Sequence, residues 1–269
     1  MAAPTALIDM LEETWSSISA LCAGLTEEQW KTPTQLPGWS VQDNVSHIVA
    51  FENELEGIGN PDHVAPDVSN TKNALGEANE HQVDAYRHLT GAELLAIFDA
   101  ITARRLASLR AGDDAYFARE MLTPAGPGTL VDMLHLRVMD SWTHEQDVRR
   151  ALGMPGHRGG PSAEHSIDRL VRTVPMVVVK RAGAPEGSTT VIDVTGAVRR
   201  TIAVTNESGK GRVSGDTADD AVCTITMDSE VFLQLGMGRG DAAELASECT
   251  VSGDAALADR ILANFTMMI

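Results

Sequence analysis

Aromatic residues make up only 4% of this 269-residue chain, so its cores must be largely aliphatic. Cysteine is scarcer still. Cys22, Cys223 and Cys249 are widely separated and odd in number, which argues against a disulfide framework and against a cysteine-based zinc knuckle. They fit a reducing compartment, and the expected location is cytoplasmic. Basic residues are few, 21 against 38 acidic, for a formal net charge of −17. A chain this acidic repels phosphate backbones and anionic membrane surfaces, so neither nucleic acid nor a membrane is an expected partner. Long apolar runs are missing too: the longest lies near Pro175–Val179, far short of the roughly 20 residues of a membrane span. The stretch Met1–Asp9 lacks a basic region, so no secretory signal is expected there. A G-x-S-x-G elbow, a Walker loop and a cysteine in a nucleophile motif are all absent, which disfavours a plain hydrolase.

What is present begins with helical periodicity. Leu7, Leu11, Trp15, Ile18, Leu21 and Leu25 recur at three- and four-residue spacing and predict an amphipathic helix over 5 to about 24. Pro37-Gly38 signals a turn, and Ser40 with Asp43 resembles a capping box. A second helix is expected from about 41 to 57, with Val41, Val45, Ile48, Glu52 and Leu55 as its stripe. His47 lies beside that stripe, with Asn44 and Phe51 as neighbours. Residues 58–70 read as a loop and 71–89 as a polar helical stretch; His63, His81 and His88 read as surface residues. A third core helix is expected at about 91–111 and a fourth at about 129–152, after a loop marked by Pro124, Gly126, Pro127 and Gly128. Arg149, Arg150 and Gly153 form the stop signal of the fourth.

The stretch Gly153–Pro161, GMPGHRGGP, is the clearest linker. Beyond it Ser162–Lys180 looks helical, broken or kinked at Pro175. Short β-like runs follow at Thr190–Val194, Thr201–Thr205 and Ala221–Met227, with Asn206–Asp220 as a turn region between the last two. Glu248–Val251 is a further strand candidate, and Val231–Leu235 and Asp254–Phe265 return to helix. The expected fold class is α+β in two domains, a four-helix bundle over 1–155 and a small α+β domain over 161–269.

Asp140 and His144 are four residues apart, so their side chains leave one helix face a turn apart. That spacing suits an Asp–His ion pair, and equally a divalent cation held from one helix. His47 taken alone fits a hydrogen-bonded histidine at a core edge. In a bundle, metal sites are built from facing helices, so His47 with Asp140 and His144 would supply three protein ligands. Three nitrogen and oxygen ligands with an open position describe a catalytic zinc site rather than a closed structural one. Asp147 reads either as an acceptor orienting His144 or as a salt-bridge partner of Arg150 or Arg137.

The run Leu36-Pro-Gly-Trp-Ser-Val-Gln-Asp-Asn-Val-Ser-His47, joined to Arg137-x-x-Asp140-x-Trp-x-His144-x-x-Asp147-x-Arg149-Arg-Ala-Leu-Gly153, resembles the mycothiol-dependent maleylpyruvate isomerase family. Phe232-Leu-Gln-Leu-Gly-Met-Gly-Arg239 and Val251-Ser-Gly-Asp254 carry the likeness into the second half. The resemblance implies a DinB-like four-helix bundle followed by a small domain similar to sterol-carrier-type folds. It implies a divalent metal, zinc first, on His47, Asp140 and His144, with Asp140 standing where family members often have Glu. It implies mycothiol as thiol cofactor, a small electrophilic substrate, and isomerisation or thiol transfer as the reaction, with Arg239 binding thiol or substrate. The alternative on the same fold is a protein that binds a metal or small ligand without turnover.

Overall fold

The stripe of Leu7, Leu11, Trp15 and Ile18 folds as the helix Thr5–Cys22 (α1) and is buried along its length. The computed structural model describes residues 4–214 and 220–267, and the chain divides into two compact units, Met1–His157 and Arg158–Ile269.

In the first unit α1 is followed by Glu27–Trp30 (α2), Val41–Leu55 (α3), Ala74–Asp84 (α4), Gly91–Ala111 (α5) and Asp114–Ala118 (α6). An antiparallel hairpin, Glu120–Thr123 (β1) and Gly126–Thr129 (β2), then leads into the 23-residue helix Leu130–Leu152 (α7). Helix α1 packs on α5 and α7, and α3 packs on the same two, closing a four-helix bundle. Leu11, Trp15, Val45, Ile48, Leu94, Phe98, Leu134 and Val138 share its core. The helix starts are fixed locally. Ser40 and Asp43 form a capping box on α3, Thr90 and Glu93 on α5, and Thr129 and Asp132 on α7. Each box satisfies amide donors that a helix N-terminus leaves open. Gly153 ends α7 in the left-handed region at φ 62°, which costs a glycine little.

The second unit opens with Pro161–Val171 (α8) and the short turn Val174–Met176 (α9), which runs into a π-helical turn, Val177–Arg181. Its sheet holds Thr189–Thr195 (β3), Arg200–Glu207 (β4), Lys210–Ser214 (β5), Cys223–Asp228 (β6) and Thr250–Gly253 (β7) in the order β5-β4-β3-β6-β7. All pairs are antiparallel except β3 with β6. Cys223, Ile225 and Met227 alternate inward along β6 against half-exposed Thr224 and Thr226. Ser229–Met237 (α10), Ala242–Ser247 (α11) and Ala255–Ala263 (α12) complete the unit. Among the described residues no helix is long and apolar enough to cross a membrane.

Three local expectations are corrected. The Pro124–Gly128 loop is the tip and second strand of the β1–β2 hairpin, where Gly-Pro-Gly hides the strand pattern. Within the expected turn region 206–220, Lys210–Ser214 pairs with β4 as an edge strand. It is polar, as edges often are, and so lacks alternation; residues 215–219 lie outside the described residues. The polar helix of 71–89 is shorter, Ala74–Asp84: the Asn73 side chain caps its start by accepting from Gly76 N–H, and residues 85–88 continue as turns.

Candidate metal centre

Helix α3 starts at its Ser40 cap and so presents Asn44, His47 and Phe51, three and four residues apart, on one side. Helix α7 presents Asp140, His144 and Asp147 in the same way. Because α3 packs on α7, the two sets meet. His47 Nε2 lies 3.4 Å from Asp140 Oδ2, and His144 Nε2 lies 3.6 Å from Asp140 Oδ1. The two imidazole centroids are 4.8 Å apart. One ligand atom from each of His47, Asp140 and His144 falls within 4.8 Å of the others. Both imidazoles are buried, whereas the Asp140 side chain is 31% exposed, so the group opens to solvent on the carboxylate side.

Trp39, from the loop before α3, lies against both imidazoles at centroid distances of 5.4 and 5.9 Å, and Phe51 lies 6.0 Å from His47. The indole N–H of Trp39 donates to Glu80 Oε2 at 2.8 Å, and Asn70 Nδ2 donates to the same oxygen. Arg87 holds the other oxygen of that buried carboxylate.

Asp140 is not isolated. Arg137 donates to its Oδ2 at 2.6 Å and to Glu52 Oε1 at 2.7 Å, with the guanidinium carbon 4.3 Å over the Phe51 ring. Burial alone would raise the Asp140 carboxyl; Arg137, His47 and His144 override it and hold it well below the ordinary carboxylate range. For His47 burial dominates and lowers its basicity against the pull of Asp140. For His144 the balance reverses: burial is outweighed by Asp140 and Asp147, and basicity rises.

The donor set fits a divalent cation. Bonds of about 2.0–2.1 Å in a tetrahedron place neighbouring donors about 3.3 Å apart, close to the 3.6 Å that separates His144 Nε2 from Asp140 Oδ1, while His47 Nε2 lies 3.4 Å from Oδ2, the oxygen that Arg137 also holds. Asp140 can keep one oxygen on Arg137 and offer the other. No cysteine joins the group among the described residues; Cys22 is buried, and desolvation pushes its thiol up to about 12. His47 Nδ1 is buried with no hydrogen-bond partner among the described residues.

Of the remaining candidates, Asp147 is tied to Arg150 at 2.5 Å and lies 3.5 Å from His144 Nδ1. A shorter contact to that nitrogen, 2.7 Å, comes from Asn44 Oδ1. Asn44 was visible in the sequence only as a neighbour of His47, although its spacing of three put it on the same face. Trp39, Arg137 and Glu80 carried no separate signal as site residues. His63 pairs with Asp84, His81 Nδ1 accepts from Ala65 N–H, and His88 is exposed. Arg239 is buried in the second unit and donates from Nη1 to Met237 O at 2.7 Å, so it is not a surface charge.

Residues 11–149 match the family model described as the mycothiol maleylpyruvate isomerase N-terminal domain, and residues 164–260 match the corresponding C-terminal domain. Two uncharacterized proteins, from two strains of Mycobacterium tuberculosis, are each 25% identical over 159 residues. That match covers 57% of this chain and 59% of theirs, so the chain spans under two thirds of the length of these curated relatives. Crystal structures of the mycothiol-dependent maleylpyruvate isomerase and of a mutant of it superpose with TM-scores of 0.57 and 0.58. Their identities are 16% and 17%, with 93% of each chain covered, a likeness of fold.

Proposed function

The chain belongs to the mycothiol maleylpyruvate isomerase family, and from that premise we propose that it is a zinc- and mycothiol-dependent isomerase or thiol transferase acting on a small electrophile. The observation that carries this reading is the convergence of His47, Asp140 and His144 from two packed helices, open on the Asp140 side and walled by Trp39. A divalent cation held there supplies the positive charge that keeps a thiol in its anionic form near neutral pH.

His47 and His144 would hold the cation through Nε2, and Asp140 through the oxygen that Arg137 leaves available. Arg137 neutralises part of the Asp140 charge, so two neutral imidazoles and this carboxylate would leave a divalent cation with net positive charge, which would favour an anionic sulfur over a neutral ligand. The thiolate adds to one carbon of an alkene conjugated with a carbonyl, and the electron pair moves onto the carbonyl oxygen. The former double bond rotates as a single bond. Return of the electron pair expels the thiolate and leaves the trans isomer; protonation without expulsion leaves the thiol adduct. For Arg239, whose guanidinium suits carboxylates and sugar hydroxyls, the proposed role is thiol or substrate binding.

Purified wild type is expected to contain about one divalent metal per chain, and His47→Ala or His144→Ala to lose most of it. Cys22→Ala should keep it, since Cys22 is buried and stands outside the His47–Asp140–His144 group. Wild type should also isomerise maleylpyruvate only when mycothiol is added. Unchanged metal content in both histidine variants overturns the assignment; full metal content without turnover of any thiol–electrophile pair overturns the enzyme.

A further inference from the structure

We infer that Asn44 is the positioning residue of the metal centre: it fixes His144 in the tautomer that bears its proton on Nδ1 and leaves the Nε2 lone pair facing Asp140. This rests on the metal-centre reading for its consequence, not for its geometry.

The side chain of Asn44 is fully buried, and each of its polar atoms is committed. Its amide nitrogen donates to the Ser40 carbonyl at 2.8 Å and to Thr34 Oγ1 at 3.3 Å. Thr34 Oγ1 is itself a donor to the Trp39 carbonyl at 2.9 Å, so toward Asn44 it accepts. Both neighbours of that nitrogen are therefore acceptors, and the amide has one orientation: Oδ1 points at His144 Nδ1, 2.7 Å away. A carbonyl oxygen cannot donate, so Nδ1 must. The next nearest group to Nδ1 is Asp147 Oδ2 at 3.5 Å, again an acceptor and already paired through Oδ1 with Arg150. With Nδ1 protonated, neutral His144 has its lone pair on Nε2, 3.6 Å from Asp140 Oδ1, where a cation would sit.

The chain thereby couples the loop before α3 to the ligand on α7. Thr34, Ser40 and Asn44 hold one another, and the same loop carries Trp39 onto the imidazoles. A neutral amide, unlike a carboxylate, sets the tautomer without adding negative charge to the ring, which keeps the centre receptive to an anionic ligand. Asn44 thus does the orienting that the sequence left open for Asp147.

The test reads the tautomer in metal-free protein by nitrogen-15 NMR, at a pH where His144 is neutral, and zinc affinity by competition with a chromophoric chelator. In wild type His144 is expected as the Nδ1–H form. In Asn44→Leu, of similar size without an acceptor, and in Asn44→Ala, the Nε2–H form should appear. Zinc affinity should fall by about 10–100-fold in both, with the amide fingerprint of the fold retained. A wild-type His144 protonated on Nε2 overturns the inference whether or not either variant folds. An unchanged tautomer and affinity in the variants also overturns it and gives the role to Asp147. Failure of wild type to bind zinc, with the tautomer as expected, removes the metal centre and leaves the Asn44 contact standing.

Discussion

Glu52 stands in the apolar stripe of α3, and its burial is possible only because two guanidinium groups reach it. Arg105 Nε donates to Oε2 at 3.1 Å and Arg137 Nε to Oε1 at 2.7 Å. Arg105 continues to Glu56 and to the Tyr116 hydroxyl, and Arg137 to Asp140. The network therefore runs from α5 through α3 to the proposed ligand helix. Removing one partner of a buried ion pair costs more than the pair contributes, because the remaining charge stays desolvated; typical losses are about 3–5 kcal/mol. Glu52→Gln is expected to lower the unfolding free energy by roughly that amount in urea titration. Glu12→Gln, at the exposed pair with Arg110, should change it by less than about 0.5 kcal/mol. Similar losses in both variants would mean that the buried network contributes no more than a surface pair.

At the scale of elements, helix α5 can start at Gly91 only because that residue has no Cβ. A methyl there would lie 2.1 Å from the buried Trp30 ring, so the ring or the helix start would have to shift. Gly91→Ala should destabilise the bundle by about 1–3 kcal/mol through overpacking, although alanine is the better helix former; a thermal melt equal to or above wild type would refute the contact. The four long helices were legible because each carries an apolar stripe at helical spacing, and two carry an end signal as well, at Ser40 and at Gly153. What stayed hidden lacked such a pattern. The β1–β2 hairpin is written in glycine and proline, and β5 is a polar edge. The close approach of α2 to α5 depends on partners about 60 residues apart. The site divides in the same way. His47, Asp140 and His144 stood out by residue type, spacing and family resemblance. Arg137 and Asn44 stand three residues before Asp140 and His47, but their reach to Glu52 and His144, like that of Trp39 to both imidazoles, runs between α3, α7 and the loop before α3.

At the scale of the whole molecule, we propose that the domain boundary falls at the Gly153–Pro161 segment, where the compact units divide. The start of this segment is not slack. Trp142 Nε1 donates to the His157 carbonyl at 2.8 Å, Gln146 Nε2 reaches the carbonyls of Gly156 and His157, and Arg149 reaches that of Met154. His157 adopts φ 52°, uncommon for a residue with a Cβ, and its Nδ1 lies 2.6 Å from Glu145 Oε2. The charged groups facing the ring are Glu145 and Arg149 from α7 and Glu13 from α1. The hydrogen bond that the ring donates to Glu145 raises His157 above its ordinary value near 6.5, against the opposing effect of burial. A group raised in the folded state contributes its full stabilisation below the unfolded value and loses it as pH climbs through the folded one. His157→Asn keeps tolerance for the left-handed backbone and removes the titration. The stability gap between wild type and His157→Asn should be widest below about pH 6.5 and narrow as pH rises beyond the raised folded-state value. Urea unfolding of both proteins across that pH range is the measurement. A gap that stays constant with pH would show that the linker is held by its backbone carbonyls alone, with no charge on the imidazole.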